Sequence, residues 1–366
     1  MEHRLEEVAK QLKSEGLDAA FINAKENFFY LSGFHTDPHE RLIGLMVFPE
    51  EDPIAVVPGM ESGQLRDAGW KYEVISYADH EDPWAMLGES VKEKASDEIK
   101  IVGIEKDVLS YGRSELLLQQ FPEAKVRDIA GILNNMRVIK DASEVEIIRR
   151  AAALADYGVK VGTESLQIGI TEMEVLAKIE YELKKKGVRE MSFSTMVLFG
   201  EKSGHPHGAP GDRRLEKGDF VLFDLGVVLE GYASDITRTF IYQSASDQQR
   251  EIYDTVLKAQ KASLEISKPG TRIGDLDQTA RDIIEAAGYG DKFPHRIGHG
   301  MGINVHEFPS MSHLNDGQLK EGMVYTIEPG IYDPAIGGVR IEDDVLVTDE
   351  GYETLTKFPK ELQVIE

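Results

Sequence analysis

Leu5, Val8, Ala9 and Leu12 keep helical spacing until Gly16 breaks the turn, and the apolar run Ala19-Ala20-Phe21-Ile22 that follows reads as a buried strand. Further segments at 41–48, 54–57, 72–77 and 99–104 read as strands and make residues 1–136 a small α/β domain. No glycine-rich phosphate loop follows any of them. The pattern changes near Arg137-Val138-Ile139-Lys140. There Asp141 and Glu144, at capping-box spacing, open a helix with Ile147, Ile148, Ala151, Ala152 and Ala155 on one face. Thr171 and Glu174 repeat the box ahead of a second helix, which Gly187 ends. Strands are expected at 219–229 and 232–242, helices at 247–266 and 275–287, and last strands at 323–332 and 339–348. Antiparallel strands with helices on their outer side give residues 137–366 an α+β architecture.

Charge and composition narrow the partners. Of 366 residues, 65 are Asp or Glu and 41 are Lys or Arg, a net charge of −24. Such a chain repels phosphate backbones, so nucleic acid is not an expected partner. The most basic stretch, Lys184-Lys185-Lys186, reads as the charge cluster of a helix C-terminus. No apolar run approaches the ~18–20 residues of a membrane helix, and the acidic start does not read as a leader. Cysteine is absent, which removes disulfides, thiolate metal sites and thiol nucleophiles. Any metal is then held by oxygen and imidazole, and the expected setting is a reducing cytoplasm.

Asp224, Asp235, Glu328 and Glu342 fall inside strand patterns, where a carboxylate is costly unless it meets a metal, a cation or several donors. For any one of them, a strand-end acid facing solvent is the plainer alternative. Their spacing favours the first reading for the set. A two-residue turn at Leu229-Glu230 would set Asp224 opposite Asp235 on one face, with Cα atoms about 4.5–5.5 Å apart. Glu328 and Glu342 repeat the arrangement about the connection at 333–338. Like charges that close call for a bridging cation. Four such carboxylates and one histidine make an oxygen-rich site for two divalent ions, able to share a water and lower its pKa toward neutrality.

Six of the ten histidines lie between His205 and His313. The stretch Phe293-Pro294-His295-Arg296-Ile297-Gly298-His299-Gly300-Met301-Gly302 precedes His306-Glu307-Phe308-Pro309. It is not a zincin motif, because Ser310 stands where a second histidine would follow. Gly298, Gly300 and Gly302 read instead as places where backbone packs close to the ligands. Together with His205-Pro206-His207-Gly208, Asp235-Ile236-Thr237-Arg238-Thr239, Ile327-Glu328-Pro329-Gly330 and Val339-Arg340-Ile341-Glu342-Asp343, this stretch closely resembles the creatinase/prolidase ("pita-bread") metallopeptidases. The resemblance covers the second half in order, and residues 1–136 are similar to the family's N-terminal accessory domain.

The resemblance implies Asp224, Asp235, His299, Glu328 and Glu342 as ligands of a dinuclear centre, commonly of manganese, otherwise cobalt or zinc, with Asp235 and Glu342 bridging or nearly so. It implies attack by a metal-bridging hydroxide, with Glu328 carrying the proton to the leaving nitrogen. His207 and His306 resemble the imidazoles that stabilise the tetrahedral intermediate and hold the peptide. His295 and Arg340 resemble residues beside the ligands and substrate. His205 and His313 read as ordinary core or surface imidazoles.

The compact spacing from Asp235 to His299, Glu328 and Glu342 resembles the short bacterial and archaeal prolidases, so the expected substrates are Xaa-Pro dipeptides. A dipeptidase must bind a free carboxylate, for which Arg296, Arg340, His295 and His39 are candidates. Some family members place an arginine where this chain has Ser310, so the carboxylate is recognised elsewhere here. Phe193, Met196 and Val305 fit either a proline pocket or core packing. The polar loop at 33–41, which holds His39, reads equally as a solvated loop or, in a family that commonly forms homodimers, as a segment reaching the partner's active site. Aminopeptidase P, acting on longer Xaa-Pro peptides, is the alternative within the class. A methionine aminopeptidase core usually stands without a domain like residues 1–135. The complete ligand set disfavours a metal-free creatinase-like hydrolase and a non-catalytic peptide-binding module.

Overall fold

In the computed structural model, which describes residues 2–95 and 98–366, strand Ala19–Ile22 is buried along its whole length because it sits inside a six-stranded sheet. It runs antiparallel to Gly44–Val47 and parallel to Ile101–Ile104. Outside these lie Ile54–Pro58 and Glu73–Tyr77 on one side and Lys125–Asp128 on the other. Helix Glu2–Glu15 buries Leu5, Val8 and Leu12. The strand Lys125–Asp128 escapes a hydrophobicity reading because it is a mostly exposed edge, where no apolar run is required. The chain divides into two units, Met1–Met136 and Arg137–Glu366. The loop at 33–41 belongs to the first, where Arg41 pairs with Asp79 (2.8 Å) and the Thr36 hydroxyl donates to Glu61 (2.9 Å). His39 in that loop is exposed and holds a left-handed backbone, φ 55°.

In the second unit, helix Ala142–Glu164 opens on Asp141, whose carboxylate accepts the Ser143 and Glu144 N–H groups while Glu144 reaches back to the Asp141 N–H. Helix Glu172–Lys185 opens on Thr171 and Glu174 in the same way. This pair packs on a four-stranded sheet in the order Val364–Ile365, Ile236–Tyr242, Phe220–Leu225 and Met196–Phe199. Helices Asp247–Glu265 and Ile273–Ala286 pack on a second sheet, ordered Glu307–Met311, Gly298–Gly300, Val324–Ile327, Asp343–Val347 and Tyr352–Thr354. A two-stranded ribbon, Gly330–Asp333 with Gly337–Arg340, completes this half of the unit. Among the described residues no helix is long and apolar enough to cross a membrane.

One expectation needs correcting. The first hairpin turns at Glu230-Gly231, one residue later than the sequence suggests, because Leu229 pairs with Tyr232. Both turn residues have positive φ, 49° and 85°, the mirror-image turn that suits the twist of a hairpin and for which Gly231 is the natural residue. Asp224 therefore pairs with Thr237 rather than with Asp235. A register change of two residues keeps the same faces together, so Asp235 becomes the diagonal neighbour of Asp224 on one side of the ladder. The second ribbon keeps the expected register: the pairing of Gly330 with Arg340, continued two positions, sets Glu328 opposite Glu342.

Candidate metal centre

Asp224 lies near the end of Phe220–Leu225, Asp235 just before Ile236–Tyr242, and His299 in the middle of Gly298–Gly300. Glu328 follows Val324–Ile327, and Glu342 falls between Gly337–Arg340 and Asp343–Val347. Strand ends from both sheets and the ribbon thus deliver all five to one cavity of about 370 Å³. The glycines beside His299 are required by crowding. A Cβ on Gly298 would stand 2.0 Å from the Thr326 carbonyl oxygen, and one on Gly300 2.4 Å from that of Phe308.

Single ligand atoms of Asp235, His299 and Glu342 lie within 4.8 Å of one another. The His299 Nε2 is 3.6 Å from Asp235 Oδ2 and 3.5 Å from Glu328 Oε1. Its Nδ1 faces the Gly300 carbonyl oxygen at 3.2 Å, so the proton belongs there and Nε2 turns a lone pair toward the carboxylates. Burial, and then the neighbouring His306, lowers the His299 pKa to about 3, keeping the ring neutral. Burial also raises Asp235 well above the ordinary carboxylate range, and the charges of Glu342 and Asp224 add to the rise. Glu342 is raised well above its range by burial, Glu328 and Asp224. Burial raises Asp224 and Glu328 too, with Arg340 opposing in both.

Three carboxylate oxygens, Asp224 Oδ1, Asp235 Oδ1 and Glu342 Oε1, are buried without a hydrogen-bond partner. Each such atom is destabilising in an apolar surrounding. Three of them in one cavity with the His299 lone pair form a donor set that fits divalent cations, and in the absence of thiolates it suits the harder ones.

The surrounding shell fixes these donors. Thr237 Oγ1 donates to Glu342 Oε2 at 2.6 Å, and the Asp235 N–H donates to Asp344 Oδ2 at 3.1 Å. Arg340 forms a buried ion pair with Asp224, and donates to Thr237 Oγ1 and the Tyr332 hydroxyl, each at 3.0 Å. His295 reaches the same hydroxyl through Nε2 at 2.7 Å, and burial lowers its pKa to about 4. His295 and Arg340 therefore line the cavity while holding Asp224 and Tyr332 in place. Tyr332, Thr237 and Asp344 were not singled out from sequence. Asp344 carries the signal that drew attention to Asp224, an acid within an apolar strand, whereas Tyr332 carries none.

The His306 ring lies 3.9 Å from that of His299, centroid to centroid, and burial followed by Arg296 lowers its pKa. His207 is exposed and lines the cavity, as does Arg296, whose Nη1 donates to Ser310 Oγ at 3.1 Å. Phe193, Met196 and Val305 form an apolar wall of the same cavity. His205 is exposed outside this lining, His313 contacts Asp277 (3.2 Å), and His39 belongs to the N-terminal unit. Carboxylates, the neutral imidazole of His299, three further imidazoles and two guanidinium groups thus surround a space with one apolar side, an arrangement able to polarise a carbonyl, move a proton and hold an anionic end.

The model of metallopeptidase family M24 matches residues 146–349, and that of the creatinase/prolidase N-terminal domain matches residues 4–139. YkvY of Bacillus subtilis (strain 168), provisionally described as a dipeptidase, is 60% identical over 363 residues, covering 99% of this chain and 100% of that one. The crystal structure of the prolidase from Pyrococcus horikoshii OT3 matches with a TM-score of 0.90 at 37% identity, over 98% of this chain and 99% of the other. The X-Pro aminopeptidase from Thermotoga maritima MSB8 matches with a TM-score of 0.87 at 32% identity, over 96% and 98%.

Proposed function

Since the chain belongs to metallopeptidase family M24, with an α/β creatinase/prolidase N-terminal domain ahead of an α+β pita-bread catalytic domain, we propose that it is a dinuclear-metal exopeptidase cleaving Xaa-Pro dipeptides. The observation that carries the reading is the convergence on one cavity of unpartnered oxygens from Asp224, Asp235 and Glu342 together with His299, beside apolar side chains. Asp224, Asp235, His299, Glu328 and Glu342 would hold the ions, for which manganese suits a carboxylate-rich, thiolate-free set. Two such ions, when bound, supply Lewis acidity and a water acidic enough to act as hydroxide near neutral pH.

The chain's own groups do the rest. Glu328 takes the proton of the attacking water and delivers it to the proline nitrogen as the peptide bond breaks. His207 and His306 donate to the oxygen that becomes negative when the carbonyl carbon turns tetrahedral. Arg296 receives the free carboxylate of proline, and Phe193, Met196 and Val305 pack against its ring. The cavity lies at the small end of the ~300–1,000 Å³ usual for ligand clefts, which suits a dipeptide. The reading includes a homodimer in a reducing cytoplasm, a compartment suited to a chain without cysteine. The test is hydrolysis of Leu-Pro, Leu-Pro-amide and Leu-Pro-Pro side by side. Leu-Pro is expected to lead by at least about tenfold in kcat/KM, the scale of one lost carboxylate contact. Equal turnover of all three would make the enzyme an aminopeptidase P instead.

A further inference from the structure

The loop that presents His207 to the cavity runs from Phe199 to Gly211, and one buried carboxylate grips it at both ends. Glu172, fully buried at the start of helix Glu172–Lys185, accepts the Phe199 N–H at Oε1 (2.9 Å) and the Gly211 N–H at Oε2 (2.8 Å). It also forms an ion pair with Lys202 from inside the loop. The backbone reinforces the grip: the Glu172 N–H donates to Arg213 (3.1 Å) and the Met173 N–H to Gly211 (3.3 Å). Between the two ends, Ser203 Oγ donates to the Gly200 carbonyl (2.6 Å) and accepts the Gly338 N–H (2.7 Å), which seats the loop on the ribbon that carries Arg340.

Glu172 is not needed to start its helix. Thr171 and Glu174 already form the complete capping box there. All three groups that meet the Glu172 side chain are donors, two amides and an ammonium, so only an anionic, acceptor-only side chain satisfies them together. Removing the carboxylate would leave the N–H groups at both ends of the loop without their acceptor and free the segment that aims the imidazole.

We propose that Glu172 is a positioning residue for His207: its carboxylate clamps the 199–211 loop so that the imidazole meets the developing oxyanion. This role rests on the reading of His207 as a transition-state donor.

The test is a double-mutant cycle on the metal-loaded enzyme with Leu-Pro as substrate. Glu172→Gln turns an amide NH2 toward one of the two N–H donors. It is expected to lower kcat by about tenfold or more, the scale of an ångström-level misplacement, with KM nearly constant and bound metal unchanged. In a His207→Ala background the same substitution is expected to change kcat by less than about twofold, because a residue acting through His207 has nothing left to position. Should Glu172→Gln fail to fold, Lys202→Met weakens the same clamp from its half-exposed edge, with an expected loss of about threefold that also disappears without His207. An unchanged kcat for the single variant, or equal losses with and without His207, overturns the proposal. A wild-type kcat for His207→Ala alone overturns the reading of His207 beneath it, which is a separate and recognisable result.

Discussion

Thr237 Oγ1 donates to Oε2 of Glu342 at 2.6 Å, while the other oxygen of that carboxylate, Oε1, is buried without a partner. The hydroxyl thus decides which oxygen of Glu342 is held by protein and which is left without a protein donor. It also accepts from Arg340 Nε, so it joins two of the groups that shape the site. Thr237→Val keeps the shape of the side chain and deletes both bonds. Metal affinity is expected to fall by about 10- to 100-fold, the usual effect of losing an outer-shell partner, with the fold retained. Titration of metal into the apo protein measures it, and an unchanged affinity would remove Thr237 from the site's support.

His207 lines the cavity but lies outside the cluster of Asp235, His299 and Glu342. His207→Ala is therefore expected to keep its metal while kcat falls by on the order of 10², the scale for a deleted transition-state donor. Loss of metal from this variant would mean the residue had been given the wrong role.

Arg296 is tied to Ser310 through Nη1 and lines the cavity. If it receives the substrate carboxylate, Arg296→Ala lowers kcat/KM for Leu-Pro by at least about tenfold and leaves Leu-Pro-amide nearly untouched, since only the acid makes the charge-assisted pair. Equal losses on both substrates would point to a structural role for the guanidinium.

The four carboxylates that line the cavity were legible because an acid in an apolar strand is costly and therefore informative. The register that joins two of them was not. Gly231 decides the turn through its positive φ, and the turn shifts Asp224 from Asp235 to Thr237; the shared cavity survives only because a shift of two preserves the face. Tyr332 was invisible for a different reason. It sits in a strand whose pattern asks only for a large apolar residue, and its role comes from Arg340 and His295, brought to its hydroxyl by the tertiary fold. Glu172 carries no signal of its own in the sequence, because its partners Phe199 and Gly211 are 27 and 39 residues away.

Glu307 pairs with Arg137 and with Lys140 (3.3 Å), and all three side chains are at least nine-tenths buried. Burial pushes the Glu307 carboxyl up, but Lys140 and Arg137 more than reverse this and hold it below its ordinary range. A depressed folded-state pKa means stability that is fully present above the unfolded carboxylate pKa of ~4.3 and lost as pH falls through the lower folded value. Burial lowers the Lys140 pKa, an effect belonging to the alkaline limb. Glu307→Gln is expected to cost about 3–5 kcal/mol near pH 7, as breaking one side of a buried pair does, and the gap to wild type should narrow steadily in acid. Denaturant unfolding of both apo proteins across that range checks the sign; a gap that widens in acid would reverse the assignment.

The most direct test of the central claim is the metal content of purified, metal-loaded protein, wild type against Asp235→Ala. Asp235 faces both His299 and Glu342, and the variant removes a ligand expected to bridge two ions. Two equivalents of divalent metal per chain in the wild type, both lost together with Leu-Pro hydrolysis in Asp235→Ala, is the predicted result. Two equivalents retained by the variant would contradict a dinuclear centre built on this residue.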